Sequence, residues 1–141
     1  MITVYTDGAC SGNPGKGGWG VVILINKDEI FLNGGDNNTT NNKMELTAAI
    51  EALKHFQKRE NITLITDSKY VKDGIQTWIK NWKKNNWKTS AKKPVKNKEL
   101  WIELDDLITK HNVNWEWVKG HAGNKYNEKA DDLARRYIEN I

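Results

Sequence analysis

The order of hydrophobic patterns along the chain is the feature that most limits its fold. Three apolar segments, residues 2–6, 19–25 and 29–33, precede the first helical pattern. Alternating β-branched and aromatic residues, or short apolar runs, predict strands, and their close succession predicts an antiparallel meander. Further along, helical and strand patterns alternate, which is typical of crossover connections. The chain is therefore predicted to be α/β, with a mixed five-stranded sheet flanked by helices.

The second part of the chain supplies two more strands and several helices. Apolar residues recur at helical spacing from residue 42 to 58, with Asn41 or Asn42 as the expected N-cap. Strands are predicted at residues 62–66 and 113–117. Further helices are predicted near Ser68, around residues 78–84, from Asn97 and at the end of the chain. The helix after Asn97 places one set of apolar residues on a single face: Leu100, Trp101, Leu104, Leu107 and Ile108.

The segment between the first two strands is rich in glycine. Residues 8–18 contain five Gly and one Pro, and we expect a turn-rich connection there. It is not a nucleotide-binding P-loop, because no Gly-Lys-Ser/Thr sequence occurs at the required spacing.

Length and cysteine content limit the class of protein. A chain of 141 residues is expected to form a single domain, residues 1–141. Its one cysteine, Cys10, excludes an intramolecular disulfide and favours a reducing compartment. The first residues do not resemble a signal peptide, and no apolar run approaches the roughly 20 residues that span a bilayer. We therefore expect a soluble cytoplasmic protein with no membrane partner.

Basic residues are concentrated in one segment. Residues 78–98 contain eight lysines, including Lys83 and Lys84, and no acidic residue, whereas the rest of the chain has 14 basic and 18 acidic residues. Such a basic segment predicts contact with a polyanion. Trp78 and Trp82, four residues apart, share a helix face and could contact a sugar–phosphate backbone. Alternatively, the tryptophans of this segment attach it to the body of the protein, and we expect at least one to do so.

Four acidic residues occupy related positions on this outline. Asp7 and Asp67 directly follow predicted strands, and Glu45 and Asp131 are expected near the starts of helices. If the two strands are neighbours, the four side chains can meet at one edge of the sheet. Clustered carboxylates repel one another, and a hard divalent cation such as Mg²⁺ would neutralise them. Such a site suits phosphoryl chemistry.

Each of these acids also has an ordinary structural interpretation. Asp67 could cap the helix that follows it, because Asp and Ser favour that position. Glu45 and Asp131 could complement the helix dipole from a first turn. The chemical hypothesis depends on all four converging.

Four sequence blocks carry a resemblance to a known family. TDGACSGNPGKGGWG, TTNNKMELTAAIEAL, TDSKYV and WEWVKGHAGNKYNEKADDLA occur in this order and span nearly the whole chain. Together they resemble type I ribonuclease H, the bacterial ribonuclease HI group. The lysine-rich segment, residues 78–98, also resembles the basic protrusion of the bacterial forms. The resemblance implies strand order 3-2-1-4-5. It also implies an endonuclease that hydrolyses the RNA strand of RNA–DNA hybrids, leaving 5′-phosphate and 3′-hydroxyl ends. One or two Mg²⁺ ions, with Mn²⁺ as a substitute, are the implied cofactors, and we expect a monomer.

The same resemblance implies roles for individual residues. The metal-binding carboxylates would be Asp7, Glu45, Asp67 and Asp131, with His121 as an auxiliary catalytic residue. Cys10 and Asn13 would face the RNA strand, although Cys10 could instead be a small buried thiol. Thr40, Asn41 and Asn97 would hold or adjoin a DNA phosphate, and helix capping is the alternative for the two asparagines. The implied substrate-binding set is Cys10, Asn13, Thr40, Asn41, Trp78, Trp82, Lys83, Lys84 and Asn97.

Two other functions compete with this hypothesis. A DNA-directed nuclease on the same fold would need recognition elements for DNA ends, for which a chain with one short basic segment has little room. A catalytically silent nucleic-acid-binding module would be favoured if one of the four carboxylates were missing, and all four are present.

Overall fold

The structure, a computed structural model, describes residues 1–119 and 124–140. Five strands form one sheet, and helices pack on both of its faces. The strands are β1 (Ile2–Gly12), β2 (Gly15–Ile25), β3 (Asp28–Thr39), β4 (Asn61–Thr66) and β5 (Asn112–Trp117). The helices are α1 (Asn41–Lys54), α2 (Lys69–Asp73), α3 (Ile79–Lys84), α4 (Lys98–Lys110) and α5 (Lys125–Glu139), and a π-helical turn, Gly74–Trp78, joins α2 to α3. None of the helices in these described ranges is long and apolar enough to cross a bilayer.

The sheet is mixed, as the hydrophobic patterns predicted. Strands β1, β2 and β3 form an antiparallel meander, and β4 and β5 pair in parallel on the other side of β1. The resulting order, β3-β2-β1-β4-β5, confirms the order implied by the resemblance. Strands β1 and β4 are therefore adjacent at the centre of the sheet, and their carboxyl ends lie at the same edge.

The prediction of a turn-rich connection at residues 8–18 is wrong. Strand β1 continues to Gly12 and β2 begins at Gly15, so only Asn13 and Pro14 lie between them. A positive φ of 88° at Gly12 allows the tight reversal. The other glycines of this stretch are strand residues: Gly8 and Gly18 pack against helix backbone, whereas Gly15 lies against the carbonyl oxygen of Ser11 within the hairpin.

Residues of β1 alternate between two packed layers. Val4 is fully buried in the main core with Leu46 of α1 and Leu64 of β4. Tyr5 points to the opposite face, where its ring lies 5.4 Å from that of Tyr126 in α5. Helices α1 and α4 thus cover one face of the sheet, and α5 packs against β1, β2 and β3 on the other. Asn124 precedes α5 and caps it, because its side chain accepts hydrogen bonds from the Tyr126 and Asn127 amides.

The start of α1 differs from the prediction by one or two residues. Thr40, not Asn41 or Asn42, is the N-cap, and its hydroxyl accepts a hydrogen bond from the Lys43 amide at 3.2 Å. The helix also ends at Lys54 instead of residue 58.

Tryptophans attach the basic segment to the core. The ring of Trp82 lies 5.8 Å from Trp78, 6.3 Å from Trp87 and 5.5 Å from the buried Trp101 of α4. Tyr70 contacts both Trp78 and Trp101. The expectation that at least one of these tryptophans packs the segment onto the body is confirmed. Trp101 itself is a fully buried core residue.

Candidate active site

Strand pairing brings the first two predicted carboxylates together. The register of β1 with β4 pairs Tyr5 with Ile65, so Asp7 and Asp67 lie two residues further along adjacent parallel strands. Oxygen atoms of Asp7, Glu45 and Asp67 all lie within 4.8 Å of one another. Three of the four predicted carboxylates therefore form one cluster at the centre of the sheet edge.

Close packing of α1 on β1 places Glu45 in this cluster. A Cβ atom at Gly8 would lie 2.5 Å from the backbone nitrogen of Glu45 and 2.6 Å from the carbonyl carbon of Met44. Only glycine allows the helix backbone to approach the strand this closely. The Gly8 amide also donates a hydrogen bond to the Glu45 carboxylate.

A second glycine places Asp131 beside the cluster. Gly20 is the cross-strand partner of Asp7, and a Cβ atom there would clash with the carbonyl oxygen of Ala130 in α5. The absence of a side chain at Gly20 lets α5 lie close to the sheet at the residue preceding Asp131. When Asp7 is protonated, its carboxyl group donates a hydrogen bond to the carboxylate of Asp131. The structure therefore brings all four predicted acids together, with Asp131 at the margin.

Burial makes this cluster electrostatically costly. Asp7 is 3% exposed and Glu45 is 7% exposed. Burial, the neighbouring charges of Glu45 and Asp67, and the hydrogen bond to Asp131 raise the pKa of Asp7 to about 9. Burial and the charge of Asp67 raise the pKa of Glu45 to about 8, against the opposing effect of the Gly8 amide. Without a cation, the folded protein binds protons at this site that the unfolded chain would release.

The donor set fits a divalent metal ion. It consists of carboxylate oxygens, which Mg²⁺ prefers. Among the described residues, no hydrogen-bond donor reaches the buried Oε1 atom of Glu45. A buried acceptor without a donor costs free energy, and a cation between Asp7, Glu45 and Asp67 would remove that cost.

The structural alternatives for single acids are not supported. Ser68, not Asp67, caps α2, and its hydroxyl accepts a hydrogen bond from the Val71 amide at 3.2 Å. Glu45 is the fifth residue of α1 and Asp131 the seventh of α5, beyond the first turn in which they were expected. Asp7 lies within β1 instead of after it, because the strand continues into the hairpin.

Several predicted substrate-binding residues meet where the β1–β2 hairpin reaches α1. The Asn41 amide donates a hydrogen bond to Oδ1 of Asn13 at 3.2 Å, next to the capping residue Thr40. The half-buried Cys10 thiol lies 3.4 Å from the carbonyl oxygen of Thr39. Asn41 therefore does not cap α1, and its backbone ties the helix to the hairpin.

The remaining predicted substrate residues lie around the basic segment. Asn97 adopts a positive φ of 60°, makes no capping hydrogen bond, and donates to the Tyr70 hydroxyl at 3.1 Å. Asn97 therefore occupies the N-cap position of α4 through its backbone, whose carbonyl accepts from the Trp101 amide at 3.1 Å, while its side chain is directed to Tyr70. Lys83 forms an ion pair with Asp105 at 3.3 Å, and Lys84 is exposed.

His121, predicted as the auxiliary catalytic residue, lies outside the described residues. One residue beside the cluster was missed by the sequence reasoning. Arg135 contacts Asp131 at 2.8 Å from the next turn of α5. Its spacing of four from Asp131 was the signal that could have identified it.

We predict that Gly8→Ala weakens metal binding, because the new methyl group displaces the backbone at Glu45. Overpacking should also destabilise the protein by about 1–3 kcal/mol. The measurement is the Mg²⁺ concentration at which the thermal midpoint has risen half-way from its value in EDTA to its value at saturating Mg²⁺. Gly34→Ala in the edge strand β3, where a Cβ would lie 2.6 Å from the Trp19 ring, is the control for overpacking alone. Equal Mg²⁺ dependence in the two variants would contradict the role of Gly8.

A second prediction concerns pH. Because the pKa values of Asp7 and Glu45 are raised in the folded state, the metal-free protein binds more protons folded than unfolded between about pH 4 and pH 9. Their contribution to stability is fully present below pH 4 and is lost as pH rises through this window. Each unit of raised pKa corresponds to about 1.4 kcal/mol.

Asp7→Asn tests this linkage, because asparagine cannot ionise. Thermal midpoints measured in EDTA across the window should fall more steeply with pH for the parent than for the variant. Saturating Mg²⁺ should remove the decline in the parent. Parallel pH profiles for parent and variant in EDTA would refute the assignment.

Comparison with known proteins agrees with this site. A model of the RNase H family matches residues 1–139. A ribonuclease H of Ehrlichia canis (strain Jake) is 61% identical over 137 residues, covering 97% of this chain and 94% of that protein. A ribonuclease HI of Neisseria meningitidis serogroup A (strain Z2491) is 58% identical over 135 residues, covering 96% and 93%.

A solved structure shows the same fold. The crystal structure of LC9-RNase H1, described as a type 1 RNase H with the type 2 active-site motif, has a TM-score of 0.86 and 33% identity, and the match covers 99% of this chain and 72% of that one. The family match, the identities and the carboxylate cluster agree with one another. This chain belongs to the ribonuclease H family.

Proposed function

We propose that this ribonuclease H hydrolyses the RNA strand of RNA–DNA hybrids at Asp7, Glu45, Asp67 and Asp131, leaving 5′-phosphate and 3′-hydroxyl ends. The observation that carries the proposal is the convergence of these four acids at one sheet edge, three of them with oxygens within 4.8 Å. Relatives 56–61% identical over nearly the whole chain are ribonucleases H.

The proposed cofactor is Mg²⁺, as one or two ions, with Mn²⁺ as a substitute. Asp7, Glu45 and Asp67 would hold it, and Asp131 would complete the site. When bound, such ions stabilise charge on a phosphoryl group and lower the pKa of an attacking water. The protein holds the carboxylates in fixed positions. Gly8 and Gly20 allow α1 and α5 to pack closely on the sheet, so the carboxylates need little reorganisation before the reaction.

Residues around the cluster support binding of a nucleic acid. On one side, Cys10, Asn13, Thr40 and Asn41 converge where the hairpin meets α1, and we propose that they contact the two strands of the hybrid. On the other side, a cleft of about 420 Å³ extends from Asp67 and is lined by lysines. These lysines are Lys69, Lys72 and Lys119, and they outnumber Asp73, the further acid that lines the cleft beside Asp67. Positive charge beside a carboxylate cluster favours phosphate groups there.

The basic segment would extend this contact. We propose that residues 1–141 act as a single catalytic domain whose protrusion, residues 78–98, binds the hybrid backbone through Trp78, Trp82, Lys83, Lys84 and Asn97. Trp82 packs against the buried Trp101, which would fix the lysines relative to the cluster. We also propose that the protein acts as a monomer in the cytoplasm. His121 would assist proton transfer or product release.

Substrate class is tested by cleavage of labelled duplexes in Mg²⁺. We expect cutting of the RNA strand in RNA–DNA hybrid, no cutting of RNA–RNA or DNA–DNA, and loss of activity on addition of EDTA. Asp7→Asn should bind hybrid without cutting it. Equal cutting of DNA–DNA would favour a DNA-directed nuclease, and hybrid binding without cutting by the parent would favour a silent binding module.

Replacing lysines of the protrusion should weaken hybrid binding. Lys84→Gln and Lys88→Gln together remove two exposed charges, so we expect a higher KM, a shallower dependence of log Kd on log salt, and an unchanged kcat. Lys27→Gln and Lys58→Gln, two exposed lysines outside the protrusion, are the matched control. A collapsed kcat with unchanged KM would contradict a binding role.

A further inference from the structure

Two ion pairs on α5 have nearly the same geometry but different surroundings. Nε of Arg135 lies 2.8 Å from Oδ2 of Asp131, and Nε of Arg136 lies 2.8 Å from Oδ2 of Asp132. Both pairs span one helical turn, and all four side chains are partly exposed. Only the first of them includes one of the four site carboxylates. The second pair therefore shows what an ordinary pair on this helix contributes.

Asp131 occupies an exposed margin of a repulsive site. Its side chain is 27% exposed, whereas Asp7 and Glu45 are buried. Asp131 raises the pKa values of both residues, through a hydrogen bond with Asp7 and through its charge. The exposure of Asp131 leaves its side chain a path to rotate towards solvent, away from the other three acids. A contact that holds the carboxylate towards Asp7 opposes this rotation.

Arg135 is placed to make that contact. Its planar guanidinium donates in a fixed direction, and it engages Oδ2 of Asp131 from the following turn of the helix. The hydrogen bond and charge of Asp131 also raise the pKa of Arg135, so the arginine remains a donor. Arg135 further lines a groove between α5 and the end of β1, together with Cys10 and Ser11. The pair is therefore on the side of α5 that faces the site.

We propose that Arg135 is a positioning residue that holds the carboxylate of Asp131 towards Asp7, so that all four acids are in place before a divalent cation binds. This inference rests on the proposed function, because it assumes that Asp131 takes part in metal binding. Carboxylates that bind metals are commonly hydrogen-bonded by a neighbouring group, and losing that group typically weakens metal affinity or activity by about 10–100-fold.

Two other interpretations of the pair make different predictions. If the pair only stabilises the helix, as exposed pairs at this spacing do weakly, removing Arg135 should have the same effect as removing Arg136. If Arg135 competes with the cation for Asp131, removing it should strengthen metal binding. The direction of the change in Mg²⁺ affinity therefore separates the three interpretations.

The experiment compares Arg135→Met, Arg135→Lys and Arg136→Met with the parent. Methionine keeps an unbranched side chain and helix propensity but cannot donate a hydrogen bond. Lysine keeps the charge without the planar guanidinium. Both arginines are more than half exposed, so the variants should fold. The primary readout is the Mg²⁺ concentration at which the thermal midpoint of the hybrid-free protein has risen half-way.

We expect that concentration to rise about 10–100-fold in Arg135→Met, to rise less in Arg135→Lys, and to stay unchanged in Arg136→Met. At limiting Mg²⁺, kcat of Arg135→Met should fall while its KM for hybrid stays near that of the parent, and excess Mg²⁺ should restore kcat. Equal Mg²⁺ dependence in Arg135→Met and Arg136→Met, or tighter binding by Arg135→Met, would overturn the proposal.

Asp7→Asn separates this outcome from a failure of the proposed function. If the parent responds to Mg²⁺ and Asp7→Asn does not, the metal site stands whatever the arginine variants show. If the parent does not respond, or if Asp7→Asn responds as the parent does, the metal site and the role of Arg135 are both overturned.

Discussion

Repulsion among carboxylates that are forced together is the interaction on which the site and its surroundings depend. Asp7 and Glu45 are almost fully buried, and their oxygens lie within 4.8 Å of those of Asp67. In the metal-free protein this arrangement raises the pKa values of Asp7 and Glu45. The free-energy cost must be met by the rest of the fold, because the acids themselves favour separation. A bound cation would attract each of these carboxylates and so offset the repulsion among them.

The backbone imposes the arrangement through close contacts at glycine. Gly8 admits the backbone of α1 at Glu45, and Gly20, opposite Asp7, admits α5 just before Asp131. The parallel pairing of β1 with β4 brings Asp67 beside Asp7. Two helices and two strands therefore position one acid each. The same sheet is stabilised by a hydrophobic core built around Val4, Leu46 and Leu64. The hydrophobic core thus stabilises the fold, while the acids that destabilise it lie at one edge of the same sheet.

Sequence patterns were sufficient for the sheet and for predicting which four acids come together. Periodicity predicted five strands, and chain position together with motif blocks singled out Asp7, Glu45, Asp67 and Asp131. The patterns failed at residues 8–18, because glycine is read as a turn signal when its local preference is considered alone. Helix packing, a tertiary effect, explains Gly8 and Gly18 instead. Arg135 was missed for a related reason, since an i, i+4 pair gains meaning only when Asp131 is seen beside Asp7.

The central claim is that divalent cations bind between these carboxylates in the working enzyme. Anomalous diffraction from crystals of the active protein soaked in Mn²⁺ tests it most directly, because manganese scatters anomalously and can replace Mg²⁺ at oxygen ligands. The account predicts an anomalous peak bounded by the oxygens of Asp7, Glu45 and Asp67, and its loss in Asp7→Asn. A protein that cuts RNA–DNA hybrids in Mn²⁺ yet shows no peak at these residues would contradict it.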